Sequence, residues 1–277
     1  METSTTQRIP GTSLTIELYE DLEGRLFRPP NGTSDHDQTK LEARIAGKVW
    51  EAAPALACLN HINHSENSFS SYTVHDHEPF RILELGAGTG YLGLAIAKLL
   101  EDLQNSNTLG TAPLRDVEVV LTDLDAAIPL LQRNFETNFP SATFAVVNIP
   151  SNGKLTVRAA SLAWSSAIPT WCSSVRWDLV VGSDLVYWPR LHGPLKDTVL
   201  SNSSMITNAS SAEVPPPILL ASKLLSATKE DGFFDGLGNG YREREITLLE
   251  ARWKGPQVTE KQFDETVEGW RIMQIEL

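Results

Sequence analysis

The stretch FRILELGAGTGYLG, from Phe80 to Gly93, limits what this chain can fold into more than any other. Arg81, Ile82, Leu83, Glu84 and Leu85 read as an extended segment, a glycine cluster follows, and apolar residues at helical spacing run from Leu92 to Leu100. That order predicts strand, tight turn and helix. Gly86, Gly88 and Gly90 let the backbone turn without Cβ clashes and leave bare main chain at a helix N-terminus, where a ligand can lie. A nucleotide-like ligand is the leading expectation; a βα loop without a ligand is the plainer alternative.

The rest of the composition restricts the setting of that turn. A chain of 277 residues can bury a sizeable core, and a single α/β domain is expected, with 1–78 as an N-terminal extension packing on a catalytic core of 79–277. No apolar run reaches the ~18 residues of a membrane span, and METSTTQRIPGTS at the start lacks the apolar centre of a signal peptide. These features predict a cytoplasmic protein, with the nucleus as a second location, and a monomer without membrane contact. Cys58 and Cys172 have no metal-ligand spacing, and neither do His75 and His77, so no metal site is expected. A net charge of −12 disfavours nucleic acid and suits basic partners.

In chain order, Thr12 to Tyr19 alternates as a strand, paired in a hairpin with the stretch around Leu26 and Phe27. Leu41 to Ile62 has helical spacing with a kink at Pro54. Val117 to Leu121 is a second strand ending in Thr122 and Asp123, and its helix runs through Leu130, Leu131 and Phe135 to about Asn138. Thr143 to Val147 reads as the third strand, Trp177 to Val181 as a buried fourth and Ile218 to Ala221 as a fifth. Leu191 to Leu200 and Tyr241 to Trp253 have helical spacing, Ser201 to Pro217 is a polar insertion, and Trp270 to Leu277 alternates as a terminal strand. The architecture expected is a doubly wound, seven-stranded, mostly parallel sheet of Rossmann-like type, its last strand antiparallel, with an N-terminal strand-helix extension.

An acidic residue ending the strand after a glycine turn can accept hydrogen bonds from ribose hydroxyls, which assigns Asp123 to an adenosine-type cofactor; capping of the next helix by Asp123 or Asp125 is the alternative. Gly88 to Gly93 also satisfies GxGxxG. In a dinucleotide site, however, the first glycine comes directly off the strand, a place held here by Gly86. Aligned on Gly86, the fingerprint would put Tyr91 where a pyrophosphate needs close helix approach. S-adenosylmethionine, which has no pyrophosphate, fits better, its methionine part over Gly86, Ala87, Gly88 and Gly90.

Glu84 to Gly90, with LTDLD at Leu121 to Asp125 and NFETN at Asn134 to Asn138, resembles the seven-β-strand S-adenosylmethionine-dependent methyltransferases. Three further segments resemble one branch, the family 16 protein lysine methyltransferases. These are GKVWEAA beginning at Gly47, SLAW at Ser161 to Trp164, and DLVY at Asp184 to Tyr187. The resemblance implies that Trp50 lies near the cofactor, that Trp164 borders its adenine, and that Ser183 presents a small side chain to it. It covers Gly47 to about Tyr187 and implies transfer of methyl to a lysine of a protein substrate, with translation factors and chaperones among the substrate classes.

The residues carry that chemistry on their own terms. Gly182 to Tyr187 leaves the carboxyl end of a parallel strand beside the glycine turn, where open α/β sheets bind ligands. Asp184 there can accept a hydrogen bond from a lysine ammonium, while Tyr187 and Trp188 wall a channel for its alkyl stem. Asp184 and Tyr187 are therefore the catalytic candidates. Core packing is the alternative for Trp50 and Trp164, and helix capping for Asp184. At the level of function, the alternatives are a methyltransferase for small molecules or nucleic acid, a non-catalytic cofactor-binding module, and a nicotinamide-dependent oxidoreductase.

Overall fold

The structure, a computed structural model, describes residues 4–9, 12–21, 53, 79–105, 116–141, 154–164, 167–206, 216, 218–223, 233, 242–246 and 270–276. Nine strands are formed by these residues: β1 Ser4–Arg8, β2 Thr15–Tyr19, β3 Phe80–Leu85, β4 Val117–Asp123, β5 Leu155–Ser161, β6 Leu179–Ser183, β7 Ile218–Lys223, β8 Arg242–Ile246 and β9 Trp270–Glu276. The helices are α1 Tyr91–Asn105, α2 Ile128–Asn138 after a 3₁₀ turn at Asp125–Ala127, the short α3 Thr170–Ser173, and α4 Pro189–Ile206.

Seven strands form one sheet in the order β5-β4-β3-β6-β7-β9-β8. The pairs from β5 to β7 are all parallel, and β9 runs antiparallel to both β7 and β8. The doubly wound expectation holds, with the last strand as the antiparallel one. From β3 the chain winds outward to β4 and β5, then crosses back to β6 on the other side of β3. That reversal leaves a crevice at the carboxyl ends of β3 and β6.

Strand residues alternate between two cores, as a sheet covered on both faces requires. Ile82, Val119, Val157, Val181 and Leu219 pack with α1 and α2, including Leu94, Leu131 and Phe135. Leu83, Val120, Val180 and Leu220 face the other way, toward Cys172, Trp177, Leu195, Val199 and Phe233. Among the described residues no helix is long and apolar enough to cross a membrane.

One expected element is overturned, and others fall outside the described residues. β2 pairs antiparallel with β1, which precedes it, while the stretch around Leu26 and Phe27, expected as its hairpin partner, lies outside the described residues. Within Tyr241 to Trp253, read as helical, Arg242–Ile246 is a strand paired with β9. On a helix Arg242 and Glu245 would pair at i,i+3, yet tertiary pairing with β9 makes the segment a strand. The strand beside β4 is Leu155–Ser161, whereas the proposed third strand at Thr143 to Val147 lies outside the described residues, as does the helical reading of Leu41 to Ile62 apart from Ala53.

The β1–β2 hairpin is fastened to α2 by two asparagine forks. Asn138 accepts from the Glu17 N–H at 2.9 Å and donates to the Glu17 carbonyl at 2.6 Å. One helical turn earlier, Asn134 does the same at Tyr19, at 2.7 and 3.1 Å, and also donates to the Thr89 carbonyl in the glycine turn at 2.8 Å. Two amides at i and i+4 thus satisfy the free edge of β2, while Ile16 and Leu18 are buried beneath it. Replacing Asn134 with Ala leaves those backbone groups unpaired, and urea melts are expected to show a loss of about 2–3 kcal/mol. A change under ~0.5 kcal/mol would mean that water satisfies them equally well.

Candidate active site

The glycine turn is held from three directions. Gly86, Gly88 and Gly90 have φ of 58°, 57° and 82°, in the left-handed region. The Ala87 N–H donates to the Thr122 carbonyl at 2.8 Å, and the Thr122 hydroxyl donates to the Glu84 carbonyl at 2.6 Å, which fixes the turn to β4. Asp123 accepts the Gly88 N–H on Oδ2 at 2.8 Å and the Leu124 N–H on Oδ1 at 2.7 Å. Neither Asp123 nor Asp125 caps a helix through its side chain.

Glu84, 1% exposed, faces the start of α1 and accepts the Gly93 N–H on Oε2 at 3.0 Å. It satisfies a first-turn amide that the helix cannot satisfy internally. A Cβ on Gly93 would come within 2.5 Å of that same oxygen and 2.7 Å of Leu121 Cδ2, so a side chain there would force both to shift. Burial pushes the Glu84 carboxyl up to about 8; the Gly93 N–H opposes the rise and the charge of Asp123 adds to it. In the unfolded chain the group returns to its ordinary value of 4.5. The folded protein therefore holds an extra proton between about pH 4.5 and 8. The corresponding stability is fully present below that window and is lost as pH rises through it. Glu84→Gln keeps an acceptor for Gly93 and removes the titration, so its melting temperature is expected to gain on the wild type between pH 5 and pH 9. Parallel pH profiles would contradict this.

Beside the turn lies a cavity of about 440 Å³, within the ~300–1,000 Å³ typical of small-molecule sites. Gly86, Ala87, Gly88, Asp123, Trp164, Ser183, Asp184 and Tyr187 all line it. Eight of the residues picked from sequence, drawn from the ends of β4 and β6 and the segments after β3, β5 and β6, thus meet at one place. Gly90 does not line it. Its own N–H donates to the Ala87 carbonyl at 2.7 Å, its carbonyl takes the Leu94 N–H at 2.9 Å, and a Cβ there would press on Leu131 at 2.9 Å. Gly90 serves the turn and the start of α1. Trp50 lies outside the described residues.

At the far wall, Asp184 leaves β6 with φ of 53°, uncommon for a residue with a Cβ, and its N–H donates to the Ala221 carbonyl at 2.7 Å. It is 8% exposed. Tyr187 is half-buried, and burial pushes its phenol up to about 12, with Asp123 adding to the rise and Arg190 opposing it. At neutral pH it is a protonated phenol. Leu124, Leu162 and Trp164 give the Asp123 side an apolar wall. Leu124, at 38% exposure, is the exposed large hydrophobic side chain among the described residues, and it stands at this rim. Leu124 and Arg190 were missed in the sequence. The only signal for Leu124 was its place between two aspartates, and Arg190 carried none.

Adenosine joined to methionine suits this lining. A Cβ on Gly86 would meet Leu185 at 2.6 Å and Trp164 at 3.2 Å, so the bare turn provides space beside an indole that a side chain would take. A carboxylate at the end of β4 supplies acceptors for ribose, and the apolar wall next to it suits a flat base. No group of side chains among the described residues could hold a metal ion.

Residues 36–237 match the family model described as lysine methyltransferase. Protein-lysine N-methyltransferase EFM6 of Saccharomyces cerevisiae is 27% identical over 74% of this chain and 74% of its own length. EEF1A lysine methyltransferase 3 of Mus musculus is 29% identical over 55% of this chain, which spans half of that protein. Among solved structures, the S-adenosylmethionine-dependent methyltransferase SibL in its apo form matches at a TM-score of 0.43, with 12% identity over 97% of this chain and 63% of that one, a likeness too loose to bear on the assignment. The chain belongs to the lysine methyltransferase family, and its cofactor is S-adenosylmethionine.

Proposed function

We propose that the chain is an S-adenosylmethionine-dependent protein-lysine N-methyltransferase in which Asp184 and Tyr187 receive the lysine and Gly86 to Gly88, Asp123, Trp164 and Ser183 receive the cofactor. The observation that carries this reading is the meeting of the two sets on one cavity. Bound S-adenosylmethionine supplies an electrophilic methyl group. What remains for the protein is to bring a lysine amine into line and out of water. Asp184, buried at the end of β6, accepts a hydrogen bond from the amine and orients it. A carboxylate facing an ammonium is a weakened base, so Asp184 positions the amine and is not a strong base. Tyr187 keeps its proton and contributes a hydroxyl and a ring wall, with Trp188 beside it at 6.4 Å between ring centroids. Trp50 belongs to the same cofactor set.

Relatives named for protein lysine support a protein substrate, and we take it to be a translation factor or a chaperone. We also propose a cytoplasmic monomer that enters the nucleus as well and has no affinity for membrane or nucleic acid, the last supported by the net charge of −12. The test uses radiolabelled S-adenosylmethionine and an extract of cells lacking the enzyme, with the label located by mass spectrometry. Label on lysine of a protein is expected. Label on nucleic acid, or none despite tight cofactor binding, would defeat the proposal.

A further inference from the structure

We infer that Arg190 selects the substrate by pairing with an acidic side chain close to the target lysine; this rests on the lysine reading of Asp184 and Tyr187. Arg190 lines the same cavity and is exposed, so it stands at the rim on the lysine side. It is the basic residue in a described lining whose other charged members are Asp123 and Asp184. Its guanidinium carbon lies 3.2 Å from the centroid of the Trp188 ring. A guanidinium stacked on an aromatic face is fixed in place while its N–H donors, in the plane of the group, stay available for a carboxylate. Among the described residues those donors have no hydrogen-bond or ion-pair partner. The group is stacked on Trp188, charged and open to solvent, a combination suited to bidentate recognition of a carboxylate.

Two further observations favour an acidic occupant. Arg190 is the second residue of α4, an 18-residue helix with no acidic side chain in its first turn, so a carboxylate docked there also meets the positive end of a helix dipole. Arg190 is also close enough to Tyr187 for its charge to oppose the rise in the phenol's pKa, so the guanidinium and the lysine channel are neighbours. A protein with net charge −12 draws basic surfaces in general. Arg190 adds a local requirement of opposite sign, a lysine with an acidic neighbour.

The test is a set of synthetic peptides with one central lysine in an alanine-rich background and a single Asp moved through the flanking positions, assayed with labelled S-adenosylmethionine. At one or two positions Asp is expected to raise kcat/KM about threefold to tenfold over Ala, through KM and not kcat. Arg190→Ala should remove the preference, and Arg190→Glu should transfer it to Lys at the same positions. Both variants should keep their affinity for S-adenosylhomocysteine by calorimetry. A flat Asp series, a preference unchanged in Arg190→Glu, or a tenfold loss of cofactor affinity in both variants would overturn the inference, the last by assigning the guanidinium to the cofactor's own carboxylate. Peptides that take no label while protein lysines in the cell extract do would sink the Arg190 inference alone; label missing from lysine in both would sink the lysine reading itself.

Discussion

Asp184→Asn is expected to lower kcat/KM for the protein substrate by at least ~100-fold while cofactor affinity stays within about threefold. Asparagine is the informative replacement because φ at this position is 53°, where Asn is tolerated better than most residues that carry a Cβ. It preserves the exit from β6 and the N–H bond to the Ala221 carbonyl and removes the charge. Alanine would add backbone strain of ~1 kcal/mol or more and mix a folding defect with a chemical one. A melting temperature within a few degrees of wild type, together with lost turnover, would confine the effect to the lysine. Full activity in Asp184→Asn would show that no charge is needed at that wall, and Asp184 would revert to a turn residue.

The second large effect is expected at Asp123, and on binding. Its two carboxylate oxygens hold the Gly88 and Leu124 N–H groups at 2.8 and 2.7 Å, so the side chain fixes the turn, and in the proposed function it also accepts from a ribose. Asp123→Ala removes both contributions and is expected to weaken S-adenosylmethionine by about 100-fold or more by calorimetry, with each charge-assisted hydrogen bond worth ~1.5–3 kcal/mol. Raising the cofactor concentration should restore much of the turnover, whereas no concentration should rescue Asp184→Asn. An affinity within threefold of wild type would place the ribose elsewhere.

Some of this could be read directly from the residues, and the reason differs from place to place. The strand–turn–helix at Phe80 to Gly93 was legible because three local signals agree: an extended apolar run, glycines at a turn, and helical spacing after it. The place of Asp123 on the cavity was legible because it depends only on following the next strand. DLVY carried the far wall because a parallel strand must end on the same side of the sheet as the glycine turn. β1 gave no signal, since STTQR has no apolar period and becomes a strand only by pairing with β2. β8 misled for the opposite reason: REREI is compatible with helix spacing, and pairing with β9 overrides it. Leu124 and Arg190 could not be found from sequence, because their places at the rim are set by how the chain turns off β4 and β6. Glu84 was visible only as a charged residue in a strand. Its burial, and the carboxylate it turns toward the Gly93 N–H, follow from packing between α1 and β4.

The asparagine forks show one further link between sequence and site. NFETN was legible as a motif, yet its action is to bind two backbone positions of β2 and, through Asn134, the Thr89 carbonyl within the glycine turn. The N-terminal hairpin and the glycine turn therefore share a side chain. Loosening one is expected to loosen the other, to a degree set by the ~2–3 kcal/mol assigned above to Asn134.

The most direct test of the account is a crystal structure of the protein with S-adenosylhomocysteine and a lysine peptide. The result expected is ribose hydroxyls within hydrogen-bond distance of Asp123, the base against Leu124 and Trp164, and the lysine nitrogen at Asp184 beside Tyr187. A ribose away from Asp123, or a lysine entering from any side other than the Asp184 to Tyr187 wall, would contradict it.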